Sequence, residues 1–137
     1  MAEDDKIQQK YLQFKALQQK LEQIQEYLEA LQQQQQELHN TIQGIKRLSK
    51  VFPRTEVLAP LANGIFVKTK LQDNSTLIVN VGANITVEKS LPDVIVLLEM
   101  QAQELQEKVP LTQAVLQELQ AQVQQQYEEL QQDIQEK

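Results

Sequence analysis

A chain of 137 residues is long enough for one domain, or for one extended subunit of an assembly. It carries 13 Lys+Arg against 19 Asp+Glu, a formal charge of −6, with one His, no Cys and no Trp. A zinc finger, a cysteine nucleophile, a disulfide scaffold and a His-rich metal site are therefore excluded.

The acidic balance argues against a duplex-binding module, and no apolar run approaches the length that spans a bilayer. The first residues, Met1 to Lys6, are acidic and polar and do not read as a secretory signal. The expectation is a soluble cytoplasmic protein with no nucleic-acid or membrane partner and no cofactor. Gln is the outlier, with 27 residues. It forms helix well and carries no charge, so the Gln runs read as helix surface.

Composition divides the chain into three regions. Residues 1–50 and 93–137 are rich in Gln, Glu and Leu and hold one Gly (Gly44) and one Pro (Pro110). Residues 51–92 hold the other three Pro, two Gly and most of the Val. The reading is an N-terminal coiled-coil helix over 1–50, a β-hairpin oligomerisation region over 51–92 and a C-terminal coiled-coil helix over 93–137. Net charges are 0, +1 and −7 in that order, so the last helix is the acidic face.

In the first region the apolar positions are Ile7, Phe14, Leu17, Leu21, Ile24, Leu28, Leu31, Leu38, Ile42 and Ile45, with Gln35 in a skipped slot. The alternating steps of three and four are a heptad repeat. Lys46, Arg47 and Lys50 would complement the helix C-terminus, and Pro53 follows.

Four strands are expected next. Thr55–Leu61 leads through Asn63-Gly64, a strong hairpin signal, into Gly64–Leu71. Gln72-Asp73-Asn74-Ser75 is a turn, Thr76–Val81 a third strand, and Ile85–Lys89 a fourth after Gly82-Ala83-Asn84. Pro60 suits an edge strand. Leu77, Val79 and Val81 are expected on one face, as are Ile85 and Val87.

Ser90-Leu91-Pro92-Asp93 has the spacing of a helix cap. The second heptad run is Ile95, Leu98, Ala102, Leu105, Val109, Leu116, Leu119, Val123 and Leu130, with Thr112, Gln126 and Asp133 as polar intrusions. Each helix would span roughly 65–70 Å. Pro110 is expected to kink or break the second, opposite the Gln32–Gln36 run, where the arm would flex.

Matched helices around a short insert suggest an antiparallel hairpin within one chain; pairing of each helix with another chain is the alternative. Folding back brings Ile7, Tyr11, Leu12 and Phe14 beside Tyr127, Leu130 and Ile134 at the tip. A small sheet without disulfide or metal cannot close a core alone. Val57, Leu58, Leu61, Ile65, Val67, Leu77, Val79, Val81, Ile85 and Val87 therefore require partner chains, best met by closing a barrel. The fold class is α+β: a long antiparallel coiled-coil hairpin with two β-hairpins between the helices, assembling into an oligomeric β-barrel platform.

Val57-Leu58-Ala59-Pro60-Leu61, Gly64-Ile65-Phe66-Val67 with Leu71, Val79-Asn80-Val81-Gly82 and Ile85-Thr86-Val87-Glu88-Lys89 together resemble an alpha-type prefoldin subunit. The resemblance implies a hexamer with beta-type prefoldin subunits, two alpha and four beta. It further implies a platform of two β-barrels, and arm tips that hold unfolded protein clients and pass them to a group II chaperonin without ATP. Some alpha-like relatives form filaments. A structural tether or filament subunit without client binding is the competing reading. Enzyme function finds no support: there is no phosphate-binding loop among three scattered glycines, and His39, Asp4-Asp5 and Glu128-Glu129 read as solvated helix surface.

Overall fold

The computed structural model describes residues 2–135; Met1, Glu136 and Lys137, the outermost residues of the two expected helical regions, lie outside it. Six elements follow in chain order: α1 (Ala2–Leu48), β1 (Glu56–Ala62), β2 (Ile65–Lys70), β3 (Thr76–Gly82), β4 (Ile85–Ser90) and α2 (Leu91–Gln135). The chain divides into two compact units. One holds the residues up to Gln35 and those from Glu104 onward; the other is Gln36–Gln103.

In the first unit, stretches of α1 and α2 lie antiparallel. Lys10 meets Asp133 and Phe14 meets Tyr127, so numbers rise on one helix as they fall on the other. The two helices thus pair within one chain. Leu28, Leu31, Leu119 and Leu130 are buried. Phe14, Leu17, Leu21, Ile24, Leu105, Val109, Leu116 and Val123 are half-buried, while the residues between them face solvent. This is the burial that a heptad seam between two helices produces, since alternating steps of three and four each return to one stripe. Lys10, Gln35, Thr112, Gln126 and Asp133 occupy the same stripe and are half-buried too.

Pro110 does not break α2, which runs unbroken from Leu91 to Gln135. The proline removes one hydrogen bond, to the Gln106 carbonyl, but Pro110 and Gln106 are both exposed, so water can satisfy that group. The Thr112 hydroxyl also donates to the Lys108 carbonyl at 3.0 Å, within the same turn.

In the second unit, Ile42, Leu91 and Val94 are buried. α1 ends at Leu48, with Lys46 and Arg47 in its last turn; Lys50, expected there, lies beyond the helix. The cap that stops it comes from far along the chain. Asn74 Nδ2 donates to the carbonyls of Leu48, Ser49 and Val51 at 3.3, 3.3 and 2.6 Å. Its neighbours complete a clasp. Asp73 accepts from the backbone N–H and hydroxyl of Ser75, and the Ser75 carbonyl accepts from Leu91 N–H at the start of α2. The turn between the hairpins is thereby tied to the end of one helix and the start of the other. The Ser90 hydroxyl caps α2 through Asp93 N–H at 3.2 Å.

Asn74→Ala removes a side chain that meets the Leu48 carbonyl at the end of α1 and the Ser49 and Val51 carbonyls just beyond it. It should cost about 1–3 kcal/mol of unfolding free energy, measured by urea titration of helical circular dichroism. Asn74→Asp should be no better, because a carboxylate cannot donate. The Ser75 backbone N–H, and then its hydroxyl, hold the Asp73 carboxyl below its usual 3.8. A depressed carboxyl stabilises fully above its unfolded value and loses that contribution as pH falls through the folded one, so the clasp weakens only in acid.

The strands form two separate two-stranded antiparallel sheets, β1 with β2 and β3 with β4. Both use the same register: Ala59 opposes Val67 and Val79 opposes Val87, and each pairing shifts just before the turn, across Leu61 and Val81. In the second turn Ala83 and Asn84 are both left-handed, at φ 49° and 61°, as a two-residue hairpin of the primed type requires. In the first turn only Gly64, at φ 77°, is left-handed. Pro60 sits on β1, which has one neighbour, and its missing N–H costs no further ladder bond.

Candidate functional site

Two surfaces stand out, one in each unit. In the first unit an open groove of about 400 Å³ is lined by Asp4, Ile7, Gln8, Tyr11, Leu130 and Ile134. Four of these were expected at the tip from sequence. The helical period explains the grouping: Ile7 and Tyr11 lie one turn apart on α1, as do Leu130 and Ile134 on α2. Leu130 is buried in the seam, whereas Tyr11 is 47% and Ile134 60% exposed.

The remaining tip residues are placed differently. Phe14 and Tyr127 meet ring to ring, with centroids 6.0 Å apart and planes tilted 38°, so Phe14 serves the seam. Tyr127 keeps an exposed edge and accepts from Gln131 Nε2 at 2.9 Å. Leu12 is exposed but does not line the groove. Lys15 lies 5.2 Å from the Tyr11 ring centroid, a cation–π contact on the outer side of the helix.

The seam beside the groove is polar. Lys10 Nζ is 2.6 Å from Asp133 Oδ2, and both residues occupy heptad slots. The hydrogen bond to Asp133, and then its charge, raise the Lys10 pKa above its ordinary 10.5, with a smaller contribution from Glu129. A raised lysine stabilises fully below its unfolded value and loses this only as pH climbs through the folded one. The pair is therefore constant near neutrality. Both partners are substantially exposed, so its worth is modest and salt-screened. Sequence reading named Asp133 as an intrusion but not its partner; a Lys in the heptad slot between Ile7 and Phe14 was the available signal.

The second surface is the hairpins. No strand residue is among the buried core residues. Val57, Leu77, Val79 and Val87 are half-buried, and Leu58, Leu61, Ile65, Val67, Val81 and Ile85 are exposed. Opposed residues share a face. Leu58, Pro60 and Phe66 thus form an apolar patch on the reverse of the first hairpin, and Ile78, 73% exposed, sits on the reverse of the second. Ile78 and the 82% exposed Phe52 were missing from the sequence expectation, and Phe66 entered it only through the resemblance, not as an assembly residue. The uninterrupted run Leu77-Ile78-Val79 was the signal, since strands covered on both faces do not alternate.

Among the described residues there is no group of three His, Cys, Asp or Glu placed to hold a metal, and no helix long and apolar enough to cross a membrane.

The sequence profile described as Prefoldin subunit matches residues 17–136. The chain belongs to the prefoldin family. Its alpha type follows from its relatives. It is 30% identical over 93 residues to prefoldin subunit alpha of Methanococcus aeolicus, an alignment covering 68% of this chain and 62% of that protein. It is 31% identical over 119 residues to prefoldin subunit alpha of Pyrococcus horikoshii, covering 87% and 79%. Among solved structures it is similar to the filamentous prefoldin of Methanocaldococcus jannaschii, with a TM-score of 0.71 at 19% identity over 89% of this chain and 98% of that one. The likeness is one of fold: two long helices with two β-hairpins between them.

One residue of this prefoldin arm has no local justification. Gln126 lies in the apolar seam four residues before Leu130, and its Oε1 is buried without a hydrogen-bond partner. A polar group in a seam slot costs stability. Gln126→Leu should raise the unfolding free energy by about 1–2 kcal/mol in thermal melts; no gain would mean that the amide is satisfied.

Proposed function

We propose that this prefoldin subunit is an ATP-independent holdase that binds unfolded proteins at its arm tip. The observation that carries the proposal is the apolar groove lined by Ile7, Tyr11, Leu130 and Ile134 beside a polar seam. A heptad helix pair has little reason to leave Tyr11 and Ile134 half to mostly exposed next to a concave apolar surface, unless something else covers them. The unpartnered Gln126 amide, and a solvent-screened Lys10–Asp133 pair where apolar groups would pack more firmly, leave that end loosely held, so terminal turns can open and offer further apolar area. Each contact with a client is weak and sequence-tolerant. Several arms on one assembly add such contacts through effective concentration. Release then needs only a competing binder, which fits a chain without a nucleotide-binding motif.

The hairpin faces are proposed as the assembly surface. They would join beta-type prefoldin subunits, two alpha with four beta, in a platform of β-barrels, and the assembly would hand clients to a group II chaperonin. Cytoplasmic location and the lack of any catalytic role belong to the same reading. Apolar groups on the hairpins support assembly equally for a tether or filament subunit, the second reading. The groove separates the two. Light scattering of a diluted, denatured client should fall when the assembled subunit is added without nucleotide, and Ile134→Asp should reverse much of that effect. A tether would leave scattering unchanged in both cases.

A further inference from the structure

The groove is lined mainly by apolar groups with one acid, Asp4, and the two chain segments that form it are acidic. Residues 2–14 carry Glu3, Asp4 and Asp5 against Lys6 and Lys10, and residues 124–135 carry Glu128, Glu129 and Asp133 with no base. That is six acids against two bases, a net of −4. Lys10 and Asp133 are paired with each other, which leaves the net of −4 unchanged. Asp4 lines the groove itself.

We infer that the groove selects unfolded segments in which an apolar side chain is flanked by lysine or arginine. This rests on the groove being the client site and names the class of segment it takes. The apolar side chain fills the space between Ile7, Tyr11, Leu130 and Ile134. The flanking ammonium or guanidinium groups lie near Asp4 and in the negative field of the two acidic segments. Segments flanked by Asp or Glu meet repulsion at the same place, so selection has an attractive and a repulsive half. Lysine and arginine stems are themselves apolar, and can lie along the exposed Tyr11 and Ile134 while their heads stay in that field.

The test uses the full chain in its assembly and fluorescein-labelled peptides of about 12 residues, read by anisotropy. One peptide has a Leu-Phe-Ile-Leu centre with Lys-Lys on each side. A second has Glu-Glu flanks, and a third keeps the Lys flanks with a Ser-Gly centre. At about 0.01 M salt the first should bind about tenfold tighter than the second, and the gap should close near 1 M, where screening is nearly complete. Asp4→Asn with Asp5→Asn should narrow the gap without loosening the Glu-flanked peptide. Equal binding of the first two peptides overturns the inference and leaves the groove reading intact. Equal binding of the first and third overturns it too, because charge alone would then suffice. If neither apolar-centred peptide binds, or Ile134→Asp changes nothing, the groove reading itself fails.

Discussion

Replacing Val79 and Val81 by Asp should release the subunit from its assembly as a single helical chain of about 15.8 kDa. Val79 opposes Val87 on the face that also carries Leu77, and Val81 lies at the bulge beside the turn, more than half exposed. In a lone chain these positions tolerate a charge, since water reaches them. At a barrel interface they do not. Two carboxylates would be taken out of water without partners, at several kcal/mol each, while about 1.5–3 kcal/mol of apolar burial per valine is lost. The measurement is native mass or light scattering after mixing with a beta-type subunit. Circular dichroism should retain the helical signal, because neither residue touches the seam. An unchanged complex mass would show that the hairpins are not the assembly surface.

Deleting residues 1–12 together with 128–137 should abolish suppression of client aggregation and leave assembly intact. The deletion removes Ile7, Tyr11, Leu130 and Ile134, all four apolar groups of the groove, and the Lys10–Asp133 pair. It spares Phe14 and Tyr127, whose rings would then cap the shortened seam. The hairpins and the Asn74 clasp belong to the other unit and are untouched. The expected outcome is therefore a complex lighter by the deleted mass alone, with client scattering at the level seen without chaperone. Under the proposed holding of a client by several arms, loss at each arm multiplies, and the drop should exceed that of any single substitution. Suppression that survives the deletion would place client binding elsewhere, the exposed hairpin faces being the first alternative.

Local repetition made much of the fold readable in advance. The heptad slots of Phe14, Leu17, Leu21 and Ile24 are half-buried and those of Leu28, Leu31 and Ile42 buried, because steps of three and four place them on one stripe whatever the partner is. The strands start and stop within a residue or two of the turn signals at Asn63-Gly64 and Ala83-Asn84. Ser90 caps α2 as its spacing to Asp93 suggested. Of the groove, Ile7, Tyr11, Leu130 and Ile134 could be named from their slots, whereas Asp4 and Gln8 could not, since nothing in a helical period says which polar neighbour will edge a concave surface.

The amino-acid sequence alone determined the helices, the two hairpins and the apolar stripe, because each is set by a short repeat of 3.5 or 2 residues and by caps and turns within a few residues. Only the tertiary structure decided which groups meet. Lys10 finds Asp133 at a separation of 123 residues, and Asn74 reaches back 23 residues to Val51 to end α1. It also decided that Pro110 would pass through an unbroken helix, on an exposed face where water can bond the freed carbonyl. Such pairings depend on the register between distant segments, and register is set by packing after the local elements exist.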